Sequence, residues 1–261
     1  MSYNRQQKTG LYVNFWNMKQ EIDQDQIKKR IQELIDFSQS SDDSKRIEAA
    51  QVFARVCFRD DLPRKDEILD RMKAMIDDPS REVRLHLVPG FRFMAGPAWG
   101  RAWPERDPKL LKDVDRKTLE YTADSLLKLT RDSDPEVQQE ALYNLGITGF
   151  VGVRKKEIED RCLGILDEGK DNKLYPVTID QLAIMRSEDP RVRENLLERL
   201  SDDNEHQRIR ALQGLREVGR AEDLERVAEM KPRGSVEDFN IKLTTEYLEG
   251  FSQERSSIEK E

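Results

Sequence analysis

"SDDNEHQRIRALQGLREVG", residues 201–219, writes a turn and then a helix. Two aspartates, Asp202 and Asp203, precede the pair Ile209-Arg210, and small and branched apolar residues follow at helical spacing. The phrase recurs as "DDPSREVRLHL" from Asp77 and "DSDPEVQQEALYNLG" from Asp132. Turn aspartates accept hydrogen bonds from the exposed N–H groups of a first helical turn, and their charge suits the positive end of the helix dipole. Pro79, Pro135 and Pro190 lie at or next to the first helical position, where a missing N–H costs nothing. A branched residue follows each turn, namely Ile47, Val83, Val137 and Ile209, while Gly146 and Gly219 stand where a helix is expected to stop. These anchors lie 36, 54 and 72 residues apart. The last interval holds two units, with a degenerate one near Val177, and the second holds one unit plus an insertion.

Another set of segments carries a regular apolar stripe. Ile27, Ile31, Leu34 and Ile35 fall at offsets 0, 4, 7 and 8, and Ile68, Met72, Met75 and Ile76 repeat them. Leu119, Ala123, Leu126 and Leu127 do the same, as do Ile158, Cys162, Ile165 and Leu166, and Val192, Leu196, Leu197 and Leu200 nearly so. That spacing puts one apolar stripe on a helix whose other face is charged. No alternation of comparable length supports a strand, so the chain is expected to be all-α. A single such helix pair cannot bury its stripe alone, and stacked copies are the physical solution.

Composition agrees with a thin, surface-rich architecture. The chain has 261 residues, 37% charged and 36% hydrophobic, with a mean hydropathy of −0.82. Units that touch only their neighbours hold together with less apolar surface than a compact globule needs. No apolar run is long enough to span a bilayer, and "MSYNRQQKTG" lacks the apolar stretch of a secretory signal. Cys57 and Cys162 sit far apart inside helical patterns, which reads as two buried thiols in a reducing, cytoplasmic setting. The net charge of −7 disfavours nucleic acid as the partner. The balance is uneven, because residues 81–117 hold nine Lys or Arg against five Asp or Glu. An anionic partner would meet the middle of the chain.

The stretch "LAIMRSEDPRVRENLLERLSDDNEHQRIRALQGLREVG", residues 182–219, resembles HEAT repeats, in particular the short HEAT-like repeats of phycobilin lyase-type proteins. The resemblance extends over most of residues 22–251. It implies a right-handed α-solenoid of about six helix pairs, an armadillo-type superhelix, in one domain over residues 1–251. It also implies a ladder between neighbouring units, made by a turn aspartate and the arginine after the branched residue. Asp78 with Arg84 and Asp203 with Arg210 match that pattern, while Gln138 and Glu48 replace the arginine, so the ladder is expected to be incomplete.

The main departure from the repeat is "VPGFRFMAGPAWGRAWPERDPKLL", residues 88–111. Pro89-Gly90 is expected to break or kink its helix, leaving an insertion loop over 96–112. The segment holds Trp99 and Trp103 with Phe91, Phe93, Arg92, Arg101 and Arg106, a composition common in binding loops. The alternative is that both tryptophans fold back and plug the array. "LYVNFWNM", residues 11–18, reads as part of an N-terminal cap over 1–21, and residues 252–261 read as a frayed polar tail. His86 and His206 are the only histidines, and no metal-ligand spacing, phosphate loop or nucleophile elbow is present, so neither metal nor cofactor is expected. The leading expectation is a non-catalytic scaffold that binds a protein through Arg84, Arg210, Arg92, Arg101, Arg106, Trp99 and Trp103. One alternative is a HEAT-like DNA glycosylase using Trp99, Trp103 and Asp107. Another, by analogy with the resemblance, is a lyase or chaperone subunit for a chromophore-bearing protein.

Overall fold

The computed structural model describes residues 24–57, 59, 62–102 and 116–258. Among the described residues every regular element is a helix. In chain order these are α1 (Gln24–Phe37), α2 (Asp43–Val56), α3 (Lys65–Met75), α4 (Arg81–Ala102), α5 (Arg116–Leu129), α6 (Pro135–Phe150), α7 (Lys155–Asp167), α8 (Tyr175–Ile184), α9 (Pro190–Arg199), α10 (Glu205–Val218), α11 (Leu224–Ala228) and α12 (Ser235–Ile258). No helix among them is long and apolar enough to cross a membrane. The N-terminal cap expected over residues 1–21 lies outside the described residues.

Helices α1, α3, α5, α7 and α9 carry the stripes read from the sequence, and those stripes are buried except for the half-buried Ile27 and Leu127. Ile68, Met72, Met75 and Ile76 of the α3 segment are inaccessible or nearly so, as are Ile158, Cys162, Ile165 and Leu166 of α7. Both cysteines are free and buried, and burial pushes the Cys162 thiol up to about 12. Each odd helix packs on the even helix that follows it, and the even helices pack on one another in sequence: α2 on α4, α4 on α6, α6 on α8, α8 on α10 and α10 on α12. Consecutive odd helices are joined mainly by long polar side chains. Arg154, at the start of α7, reaches Asp124 of α5 at 2.9 Å, and Arg191 of α9 reaches Asp167 of α7 at 2.7 Å. The even layer is the close-packed one.

A repeated turn fixes the start of the even helices, with a register that corrects the one read from the sequence. Ser40, Asp78, Asp132, Asn172 and Asp202 each accept, through the side chain, the N–H two residues on. Six residues after four of them, a long side chain donates back to the carbonyl of that same turn residue: Arg46 to Ser40, Arg84 to Asp78, Gln138 to Asp132 and Arg208 to Asp202. The fifth equivalent is Thr178, whose hydroxyl donates to Leu174 instead. In this alignment Val83 and Val137 precede the key residue, whereas Ile47 and Ile209 follow it. Two of the four anchors read from the sequence were thus out of register by two positions, and Glu48 and Arg210 are not ladder residues.

The ladder's true rungs join neighbouring units. The Arg46 guanidinium binds both oxygens of Asp78, at 2.8 and 3.1 Å, and Arg84 binds both oxygens of Asp132, at 2.6 and 2.9 Å. Arg208 does the same with Glu237 of α12, at 2.6 and 3.1 Å, and both side chains are at most 3% exposed. Fork-to-carboxylate pairs of this kind set both distance and orientation. The rungs stop in the middle of the chain because Gln138 and Thr178 cannot make them. There the α6–α8 contact is closed by glycine. A Cβ on Gly146 would lie 2.4 Å from the Gln181 amide oxygen, and one on Gly149 would lie 2.2 Å from the Met185 sulfur. Gly146 therefore does not end α6 but lies inside it, where its N–H donates to Gln181 at 3.0 Å.

Pro89 and Gly90 also lie inside a helix, α4, which runs on to Ala102. The expected break at 89–90, and the start of a loop at 96, are therefore corrected. Pro89 is on the exposed side of the helix, where the carbonyl left without its N–H partner faces water. Gly90 faces α2, and a Cβ there would lie 2.6 Å from the Ala54 Cα, so the glycine allows close approach and is not a stop signal. At the other end, α12 continues to Ile258, so the segment expected to fray from 252 is helical for most of its length.

Candidate functional site

Numbered from the ladder residue of each even helix, positions three, four and seven residues on point into the core. They are Ala49, Ala50 and Phe53 in α2, Leu87, Val88 and Phe91 in α4, and Ala141, Leu142 and Leu145 in α6. Residues two and five positions on fall on the opposite side of the helix, and the residue eight on lies at the border between the two sides. In α4 the outer side carries His86 and Pro89, with Arg92 exposed at its border; in α6 it carries Tyr143, and in α10 it carries Arg210. The stacked even helices thereby present one continuous face made of residues far apart in sequence.

Tyr143 is the centre of that face. It is 38% exposed, and apart from Val236 and Phe239 on α12 it is the only large apolar side chain so exposed among the described residues. The Arg92 guanidinium carbon lies 5.7 Å from its ring centroid and that of Arg210 lies 5.4 Å from it, so one ring holds two cations. Such contacts orient the guanidinium planes and contribute about 0.5–1 kcal/mol each at exposed sites. Arg210 also donates to Asp180 of α8 at 2.8 Å, and the same carboxylate accepts from Arg199 of α9 at 2.9 Å. Two turns further along, Arg186, just past the end of α8, lies 5.5 Å from the ring centroid of Phe150 on α6 and 3.3 Å from Glu217 of α10, a second aromatic–guanidinium pair. Toward the turn edge the Gln51 amide meets the His86 ring at 3.0 Å, and partial burial holds His86 below the usual imidazole range.

The seven residues singled out from the sequence separate into four groups. Arg92 and Arg210 meet at Tyr143. Arg84 does not face the same surface; it is spent on Asp132 and the Asp78 carbonyl, with its side chain 12% exposed. Trp99 and Arg101 belong to the last turns of α4, with side chains outside the described set. Trp103 and Arg106, with Asp107, lie outside the described residues altogether. Tyr143 and Asp180 were missed in the sequence. The signal that finds them is the corrected register, which puts Tyr143 five residues after Gln138 and Asp180 two after Thr178.

Among the described residues the face is open, without a set of converging catalytic groups. Among the described residues no cluster of three His, Cys, Asp or Glu side chains has a metal-holding arrangement. Two clefts lie at the turn edge, one lined by Ile76, Asp77, Asp124, Lys128 and Asp132, the other by Lys170, Tyr175, Asn195, Arg199 and Asp202. Lys128 and Asp77 pair across the first, and Lys170 with Glu198 across the second.

No protein-family model matches the chain, and no curated protein matches it. Among solved structures, the crystal structure of an engineered protein from the Northeast Structural Genomics Consortium is similar: it is 16% identical, with a TM-score of 0.53, over 85% of this chain and 97% of that one. At that identity the likeness concerns the fold alone, an all-helical one.

Proposed function

We propose that this chain is a non-catalytic interaction scaffold, a right-handed HEAT-like solenoid of about six helix pairs that binds a protein on the face of its even helices. The observation that carries this reading is the cluster of Arg92, Tyr143 and Arg210, drawn from three helices onto one exposed ring. Tyrosine and arginine are the residues that dominate the energetics of protein interfaces, and here they are already oriented before a partner arrives. The close packing of even helices against wider-spaced odd ones is the asymmetry that curves a repeat array, with the even layer on the inside. A cytoplasmic setting suits the two buried free thiols.

Site-specific photocrosslinking tests the reading. A photoreactive phenylalanine analogue at position 143, expressed in the native cell, is expected to yield a discrete crosslinked protein. The same analogue at position 128, on the odd helix α5, is expected to yield none. Equal labelling at both sites, or none at 143, would contradict the proposal.

A further inference from the structure

We infer that the segment docking at Tyr143 is acidic, a stretch of polypeptide whose two carboxylates bind Arg92 and Arg210 at the ring. This deepens the scaffold reading and rests on it. The charge accounting around the ring points this way. Arg199 and Arg210 share a single carboxylate, Asp180, while Arg92 is exposed and has no ionic partner among the described residues. Three guanidiniums therefore face one carboxylate, in a chain whose net charge is −7. The other acidic groups nearby reduce the surplus but leave it positive. Glu217 is taken up by Arg186, and Glu140, one turn nearer the turn edge, makes no ion pair with either arginine.

The arginines retain the donors such a ligand needs. Arg210 uses one terminal nitrogen on Asp180, and the ring contacts fix the planes of both forks without consuming their N–H groups. Both guanidinium carbons lie within 6 Å of one ring centroid, so they are at most about 11 Å apart. Two acidic side chains three or four residues apart on a helix, or two apart on a strand, span roughly 5–7 Å at their base and reach that far with their carboxylates. A small anion would find no enclosure here, because the face is open. A peptide gains contact with Tyr143 as well as with both cations.

The test uses the full chain and labelled twelve-residue peptides, read by fluorescence anisotropy. Pairs of Glu separated by two, three or four residues in a neutral background are compared with matched Gln and Lys peptides and with an oligothymidine of similar length. At least one Glu-pair peptide is expected to bind saturably, and its Gln counterpart to bind at least about tenfold more weakly. Arg92→Gln and Arg210→Gln are each expected to weaken that binding about tenfold at unchanged melting temperature, and raising the salt from about 0.05 to 0.5 M is expected to weaken it further. Equal binding of Gln or Lys peptides, tighter binding of the oligothymidine, or no saturable Glu-pair peptide would overturn the inference. A position-143 crosslink that persists through such a failure leaves the scaffold reading standing, and loss of both removes both.

Discussion

Arg84 and Arg92 sit eight residues apart on one helix, and the two regions they belong to use the same side chain in opposite ways. At the turn edge Arg84 is partly buried, forked onto Asp132 and tied to its own turn through the Asp78 carbonyl. On the open face Arg92 is exposed and leans on Tyr143 with no carboxylate of its own among the described residues. The first arginine costs desolvation and is recompensed only by the geometry of its rung. The second keeps its hydration and its donors, which leaves it available to something else. The turn edge is therefore where the array is held, and the open face is where it can be read.

The largest effect that separates the two regions is expected at the innermost rung. Arg208→Ala leaves Glu237, which is fully buried, as an uncompensated charge, and should cost about 3–5 kcal/mol in chemical denaturation. A loss under about 1 kcal/mol would mean that the rungs do not hold the array. Next, at the α6–α8 contact where rungs are absent, Gly149→Ala forces Met185 from a buried position and should cost about 1–3 kcal/mol, with little dependence on salt. A strong salt dependence there would show an ionic seam that the structure does not contain.

Acid should act on the turn edge first. The Arg208 hydrogen bonds hold Glu237 below its ordinary value of 4.5, against the opposing effect of burial. A carboxyl whose folded pKa is depressed contributes stability that is complete above the unfolded value and is lost as the pH falls through the folded one. Stability should therefore drop below about pH 4.5, and Glu237→Gln should flatten that limb while lowering the plateau at neutral pH. An unchanged acid limb in the variant would remove this pair from the account. The smallest effects belong to the exposed pairs: Lys128→Ala, which frees a partner 64% exposed, should shift stability by less than about 0.5 kcal/mol.

The odd helices were readable because their four-position stripe needs nothing but period, and Ile68, Met72, Met75 and Ile76 are buried as that period requires. The even helices were harder, since their key position is filled by Arg46, Arg84, Gln138, Thr178 and Arg208 in turn, and a hydrophobic pattern ignores all of them. Anchoring on the nearest branched residue put Arg210 on the ladder and left Arg208 out. Gly90 and Gly146 misled for a related reason. A glycine that admits a neighbouring helix and a glycine that ends its own look alike until the neighbour is known. Tyr143 was invisible because its partners come from α4 and α10, and no local pattern relates those positions.

The division of labour between the two regions is tested most directly by melting Arg84→Ala and Arg92→Ala side by side with the parent chain. The account predicts that the first loses about 3 kcal/mol, a fall of roughly 6–12 °C for a chain of this size, while the second melts within about 1 °C of the parent. Equal shifts for the two variants, or a larger one for Arg92→Ala, would contradict it.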